Sequence, residues 1–127
     1  MNSKFYISYE AARLLKEKGY DEKVEYMYDD NILTSIDILT NSQIDRYYRN
    51  MYGIEFYGAP TKAEAIDWLE SKGIMIEITI DIDECAWMFN IVDKEKFITI
   101  GHPKDGEFFT DRLEAEDAAI IKALELL

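Results

Sequence analysis

The chain has 127 residues, 48% of them hydrophobic, a size and composition that predict one domain over residues 1–127 whose core needs no metal or disulfide. Its 26 acidic residues outnumber 14 basic ones and leave a net charge of −12, which speaks against direct binding to DNA or RNA and against docking on acidic membranes. One cysteine, Cys85, and no run near the ~18 apolar residues of a membrane span point to a reduced, cytoplasmic protein.

Met1-Asn2-Ser3-Lys4-Phe5 has no apolar core of a signal peptide and is read as leading straight into a helix. Ser8 is the expected N-cap, with Glu10 in the first turn. Ala11, Ala12 and Leu15 make the apolar stripe, with Leu14 at its edge. Gly19 is placed to end the helix in a left-handed conformation, and Tyr20 to fold back onto Leu15.

A hairpin is expected next. Val24, Tyr26 and Tyr28 alternate with Glu25 and Met27, Asp29-Asp30-Asn31 supplies a turn, and residues 32–39 form the return strand. Residues 41–52 fit either a short helix capped by Asn41 or Ser42, carrying Ile44, Tyr47, Tyr48 and Met51, or an ordered loop. Residues 53–60, with Gly53, Gly58 and Pro60, read as a connection.

Thr61-Lys62-Ala63-Glu64 is a capping-box pattern and opens a second helix. Ala65, Ile66 and Leu69 form its stripe, Trp68 lies beside it, and Gly73 ends it with Ile74 packing on Leu69. Ile74, Ile76, Ile78, Ile80 and Ile82 then occupy every second position, the period of a strand with one buried face. Asp83-Glu84 is the expected turn, Trp87, Phe89 and Ile91 a second strand, and residues 97–100 a third, so the three make an antiparallel meander. A polar loop containing His102-Pro103 and Asp105-Gly106 follows. The last helix starts at Asp111, paired with Glu114 in a second capping-box pattern, and bears Leu113, Ile120, Ala123, Leu124 and Leu127.

The expected class is α+β: an antiparallel sheet, built from the N-terminal hairpin and the C-terminal three-stranded meander, covered by three main helices. Residues 10–19 echo residues 64–73, each a helix that stops at glycine before a strand. The echo has two readings: two related helix-hairpin halves, or two ordinary amphipathic helices.

Ile7-Ser8-Tyr9-Glu10-Ala11-Ala12 with Leu15-Lys16-Glu17-Lys18-Gly19-Tyr20, then Tyr57-Gly58-Ala59-Pro60-Thr61, then Trp68-Leu69 and Lys72-Gly73-Ile74-Met75-Ile76, resemble a family of short uncharacterised proteins. That family belongs to Bacteroides-group bacteria, their phages and mobile elements. The resemblance implies a mobile genetic setting and supplies no catalytic or ligand-binding residue.

The sequence points to no catalytic residue, metal or cofactor. Asp81, Asp83, Glu84, Cys85 and His102 offer one Cys and one His, too few for a zinc site. Cys85 with His102 would make a thiolate pair, but a cysteine beside Trp87 is more often a small buried hydrophobe. The glycines stand singly, so no phosphate loop or dinucleotide fingerprint exists.

The tyrosines are the candidate binding residues. Nine occur, and Tyr26, Tyr28, Tyr47, Tyr48, Tyr52 and Tyr57 fall in one third of the chain. Tyrosine joins apolar area to a hydrogen-bonding tip, which suits protein interfaces. The competing reading is that these rings cover a thin core. The leading expectation is a non-enzymatic module that binds a protein partner or forms a homodimer. One alternative is an acidic, nucleic-acid-mimicking inhibitor of a host defence protein, since residues 59–127 carry 16 acids and 7 bases, a balance of −9. The other is an enzyme of unrecognised type, which would need a pocket of convergent polar groups.

Overall fold

The computed structural model describes residues 3–95, 98–101 and 108–127. The chain is α+β with antiparallel sheets, as its periodicities predict. It divides into two compact units, Met1–Thr61 and Lys62–Leu127. The strands form two three-stranded sheets, ordered β2-β1-β3 and β4-β5-β6.

The first unit opens with α1, Tyr9–Glu17. The Ser8 side chain accepts from the Ala11 N–H, and Ala11, Ala12 and Leu15 are buried, as the sequence pattern requires. Gly19 takes φ +96°. Its N–H reaches the Lys16 carbonyl and the Tyr20 N–H reaches the Leu15 carbonyl, the paired bonds of a Schellman stop.

Strands β1 (Val24–Asp29) and β2 (Ile32–Leu39) form the expected hairpin, with Asp30 at φ +57° in its turn. Their register shifts between Val24 and Tyr26. The extra residues of this bulge lie on β2; along β1, Val24, Met27 and Tyr28 are buried and Tyr26 is half-buried. Strand β2 has no buried residue and forms one edge of the sheet.

Residues 41–52 are helical throughout: α2 (Asn41–Ile44), a π turn (Asp45–Arg49) and α3 (Asn50–Tyr52). The cap is Thr40, not Asn41 or Ser42. The Thr40 hydroxyl accepts from Gln43 N–H, and the Gln43 side chain accepts from Thr40 N–H. Gly53 at φ +70° ends the segment.

The connection after it contains a short strand, β3 (Tyr57–Gly58), paired with β1 through Met27↔Gly58 and Tyr28↔Tyr57. Asn41 fixes this strand from inside. Its Nδ2 donates to the Tyr20 carbonyl at 2.9 Å and its Oδ1 accepts from the Gly58 N–H at 2.8 Å. Gly58 has no room for a side chain: an added Cβ would lie 2.9 Å from Asn41 Oδ1 and 3.0 Å from Val24 Cγ2.

The second unit opens with α4, Lys62–Ser71, which starts directly after Thr61. Ala65 and Leu69 are buried, Ile66 and Trp68 half-buried, and Lys62 occupies the remaining buried position of the stripe. Gly73, at φ +87°, leads directly into β4 (Ile74–Asp81). Each unit thus has the order helix, glycine stop, antiparallel hairpin.

Strand β4 pairs with β5 (Ala86–Asp93) in unbroken register from Ile74↔Asp93 to Asp81↔Ala86, and β5 pairs with β6 (Ile98–Gly101). Phe97, the expected start of the third strand, and the His102–Pro103 and Asp105–Gly106 pairs lie outside the described residues. Phe109 extends the ladder by exchanging two backbone hydrogen bonds with Trp87. Asp111 caps α5 (Arg112–Glu125), which packs on β4, β5 and α4. Its buried stripe is Ala115, Ala119, Ile120, Ala123 and Leu124; Leu113 is half-buried and Leu127 exposed. Alanines at four-residue spacing let the helix lie close to the sheet.

The expected five-isoleucine face is buried only at its start. Ile74 is 1% exposed, Ile80 53% and Ile82 82%. The strand ends at Asp81, with Ile82 in the turn.

Candidate functional site

The six candidate tyrosines separate into two groups. Tyr26, Tyr28 and Tyr57 belong to the sheet of the first unit. Tyr28 is core: its hydroxyl donates to the Ile7 carbonyl at 2.7 Å and its ring meets Tyr9 edge-on at 5.8 Å. Tyr26 packs on Tyr6 at 4.7 Å, and Tyr57 meets the other side of the pattern by an edge contact with Tyr9 at 5.6 Å. Tyr28 is thus sealed in the core with its hydroxyl, while Tyr26 and Tyr57 are half-buried.

Tyr47, Tyr48 and Tyr52 lie on the helical segment 41–52. Tyr48 and Tyr52 stack nearly parallel at 6.5 Å, and both present to the buried Phe56 at about 6 Å. Around them Tyr47, Met51, Tyr52 and Ile54 are 52–71% exposed. Ile44 is fully buried.

The π turn explains that contrast. In an uninterrupted α-helix Ile44, Tyr47, Tyr48 and Met51 share one face. A π turn takes about one extra residue, so the positions after it rotate out of phase. Ile44 stays in the core while Tyr47 and Met51 turn outward. The hydrophobic pattern identifies a helix, and backbone phase decides which of its apolar residues face water.

Charge distinguishes the same stretch. Residues 46–54 contain Arg46 and Arg49 and no acid, in a chain of net charge −12. Both arginines are exposed. The acids on either side are drawn away by Lys16, whose Nζ lies 2.5 Å from Asp45 Oδ1 and 3.2 Å from Glu55 Oε1, and donates to the Phe56 carbonyl at 2.9 Å. Tyr47, Met51, Tyr52 and Ile54 with the two arginines therefore make a cationic, aromatic ridge held from beneath by Phe56 and Lys16. The tyrosine clustering names two of its members in advance, Tyr47 and Tyr52; Arg46, Arg49, Met51 and Ile54 are recognised only from their exposure in the structure.

Beside Lys16 a cavity of about 320 Å³ is lined by Arg13, Lys16, Glu17, Glu55 and Tyr57. The charges lining it are engaged with one another: Arg13 with Glu17, and Lys16 with Glu55. Lys16 also lies 5.3 Å from the Tyr57 ring centre. Burial raises the Tyr57 phenol above its ordinary value, and the neighbouring Glu55 carboxylate raises it further.

Cys85 is exposed at φ +51° in the β4–β5 turn, correcting the expectation of a small buried hydrophobe. The partner considered for it, His102, lies outside the described residues. Among the described residues no group of three or more His, Cys, Asp or Glu side chains is arranged to hold a metal ion, and no helix is long and apolar enough to cross a membrane. No family model, curated protein or solved structure matches the chain.

Proposed function

We propose that the chain is a non-enzymatic protein-binding module and that the ridge formed by Tyr47, Met51, Tyr52 and Ile54 is its contact surface. The observation that carries this reading is the exposure, at 52–71%, of four large apolar side chains within eight residues. Large apolar side chains exposed together on one short segment are a feature of recognition sites. Tyrosine, methionine and arginine are the residue types enriched at protein interfaces, and lysine and acids are depleted there. The ridge has that composition in a chain otherwise dominated by acids.

The ridge is also ordered before binding. Tyr48 and Tyr52 pack on Phe56, and Lys16 ties the segment to α1, so little conformational entropy is lost on contact. The module acts in a reducing cytoplasm, where an exposed Cys85 stays a thiol, and the family resemblance implies a phage or mobile-element setting.

Paired capture experiments test the function. Wild-type bait and a Tyr47→Ala/Met51→Ala bait are passed over extract of the native host under identical conditions. A partner retained by the first and lost by the second is expected. Equal recovery on both baits would contradict the reading, provided both melt at the same temperature.

A further inference from the structure

We propose that the ridge's partner is a second copy of this chain, which docks the tip of its β4–β5 hairpin against it. The inference rests on the ridge being a contact surface and names what occupies it.

The hairpin tip is the chemical complement of the ridge. Ile80 and Ile82 are 53% and 82% exposed, the latter the most exposed large apolar side chain described. Between and after them stand Asp81, Asp83 and Glu84. Residues 80–85 contain three acids and no base; residues 46–54 contain two bases and no acid. Each surface thus offers exposed apolar area flanked by charge of one sign, and the signs are opposite.

Like-on-like contacts are unfavourable by the same count. Ridge against ridge sets two arginines against two, and tip against tip sets three acids against three. Juxtaposed like charges repel and select against the wrong pairing. Net charge of −12 also repels two copies at long range, so association requires a local cationic surface that meets an acidic one. In this contact Ile82 is the apolar anchor against Tyr47 and Met51, and Arg46 and Arg49 receive the acids of the tip.

The tip is ordered before contact. Asp81 Oδ1 accepts from the Asp83 N–H at 3.0 Å and the Glu84 N–H at 3.1 Å, which fixes the turn that projects Ile82. The β4–β5 register below it is unbroken. An element with its conformation already set loses little entropy on binding. Strand edge β2, where Ile32 and Ile38 are exposed, is less suited to pairing because its register with β1 is interrupted by a bulge.

Each copy carries one ridge and one tip, so the contact is heterologous and either closes into a pair or ring or continues as a chain. Complementation in analytical ultracentrifugation tests it. One variant loses the ridge, Tyr47→Ala/Met51→Ala; a second loses the tip, Ile80→Ala/Ile82→Ala. All four side chains are exposed, and circular dichroism with thermal melting confirms that each variant folds. Wild type is expected to self-associate reversibly. Each variant alone should associate at least about tenfold more weakly. An equimolar mixture of the two should recover a heterodimer, because it restores one ridge facing one tip. Arg46→Glu/Arg49→Glu should likewise be rescued by mixing with Asp83→Arg/Glu84→Arg.

A wild type that stays monomeric at every concentration overturns the self-pairing. So does a tip variant that associates as wild type does, or a mixture that stays as monomeric as its parts. Those failures leave the ridge itself to the paired capture experiment, whose failure is separate: a partner that both baits retain.

Discussion

Lys16 Nζ lies 2.5 Å from Asp45 Oδ1, and this contact ties helix α1 to the first residue of the π turn. The lysine side chain is 12% exposed, whereas Asp45 and Glu55 are 34% and 44% exposed. The ammonium also holds the Phe56 carbonyl, so one cation organises both ends of the ridge segment. Lys16→Met keeps the apolar stem and removes the charge. We expect a loss of about 1–3 kcal/mol, drawn mainly from Asp45 and the Phe56 carbonyl, since the more exposed Glu55 contributes little. Urea denaturation measures it, and an unchanged midpoint would show that the pair is ornamental.

Asn41 and Gly58 form a second fixed point. Asn41→Ala leaves the Tyr20 carbonyl and the Gly58 N–H buried without their partner, and about 2–4 kcal/mol should be lost. Asn41→Asp keeps the acceptor for Gly58 but sets a carboxylate against the Tyr20 carbonyl, so at neutral pH it should be no better than alanine. Gly58→Ala forces Asn41 or Val24 to move and should cost about 1–3 kcal/mol. Because Asn41→Ala removes the atom that lies nearest the new Cβ, the double variant should be less destabilised than the sum of the single ones. Additive losses would mean that the two residues act separately.

Tyr57 supplies a titration signature. Its phenol is raised above the ordinary value of 10.0, first by burial and then by Glu55. A raised value favours the protonated ring in the fold. The corresponding stability is therefore complete below the unfolded value near 10 and falls as pH rises through the folded value. Glu55→Gln removes the second cause and leaves the first, so the phenol should titrate lower than in wild type but still above 10.0. Tyrosinate absorbance, with Tyr57→Phe to assign the transition, reads the shift. A rise on Glu55→Gln would reverse the assigned cause.

Local signals made much of this fold legible. Ser8, Gly19, Gly73 and Asp111 mark helix ends because capping depends on residues a few positions apart. The β4–β5 pair is equally readable, since its turn and alternation are local. What escaped is set by distant partners or by backbone phase. Strand β3 is two residues long and exists because Gly58 fits beneath Asn41, seventeen positions earlier. Met27 is buried because β1 is the central strand, paired with β2 on one side and at Met27↔Gly58 with β3 on the other. Of the candidate tyrosines, pattern alone could not separate Tyr28, sealed by the Ile7 carbonyl, from Tyr47, turned outward by the π turn.

Site-specific photocrosslinking tests the recognition surface most directly. A photoreactive benzoylphenylalanine is placed at position 51, in the ridge, and in a second variant at position 70, an exposed site on α4. Irradiation in the native host should give discrete protein adducts from position 51 and none from position 70. No adduct from position 51, or the same adducts from both positions, would contradict the ridge as the surface through which this protein works.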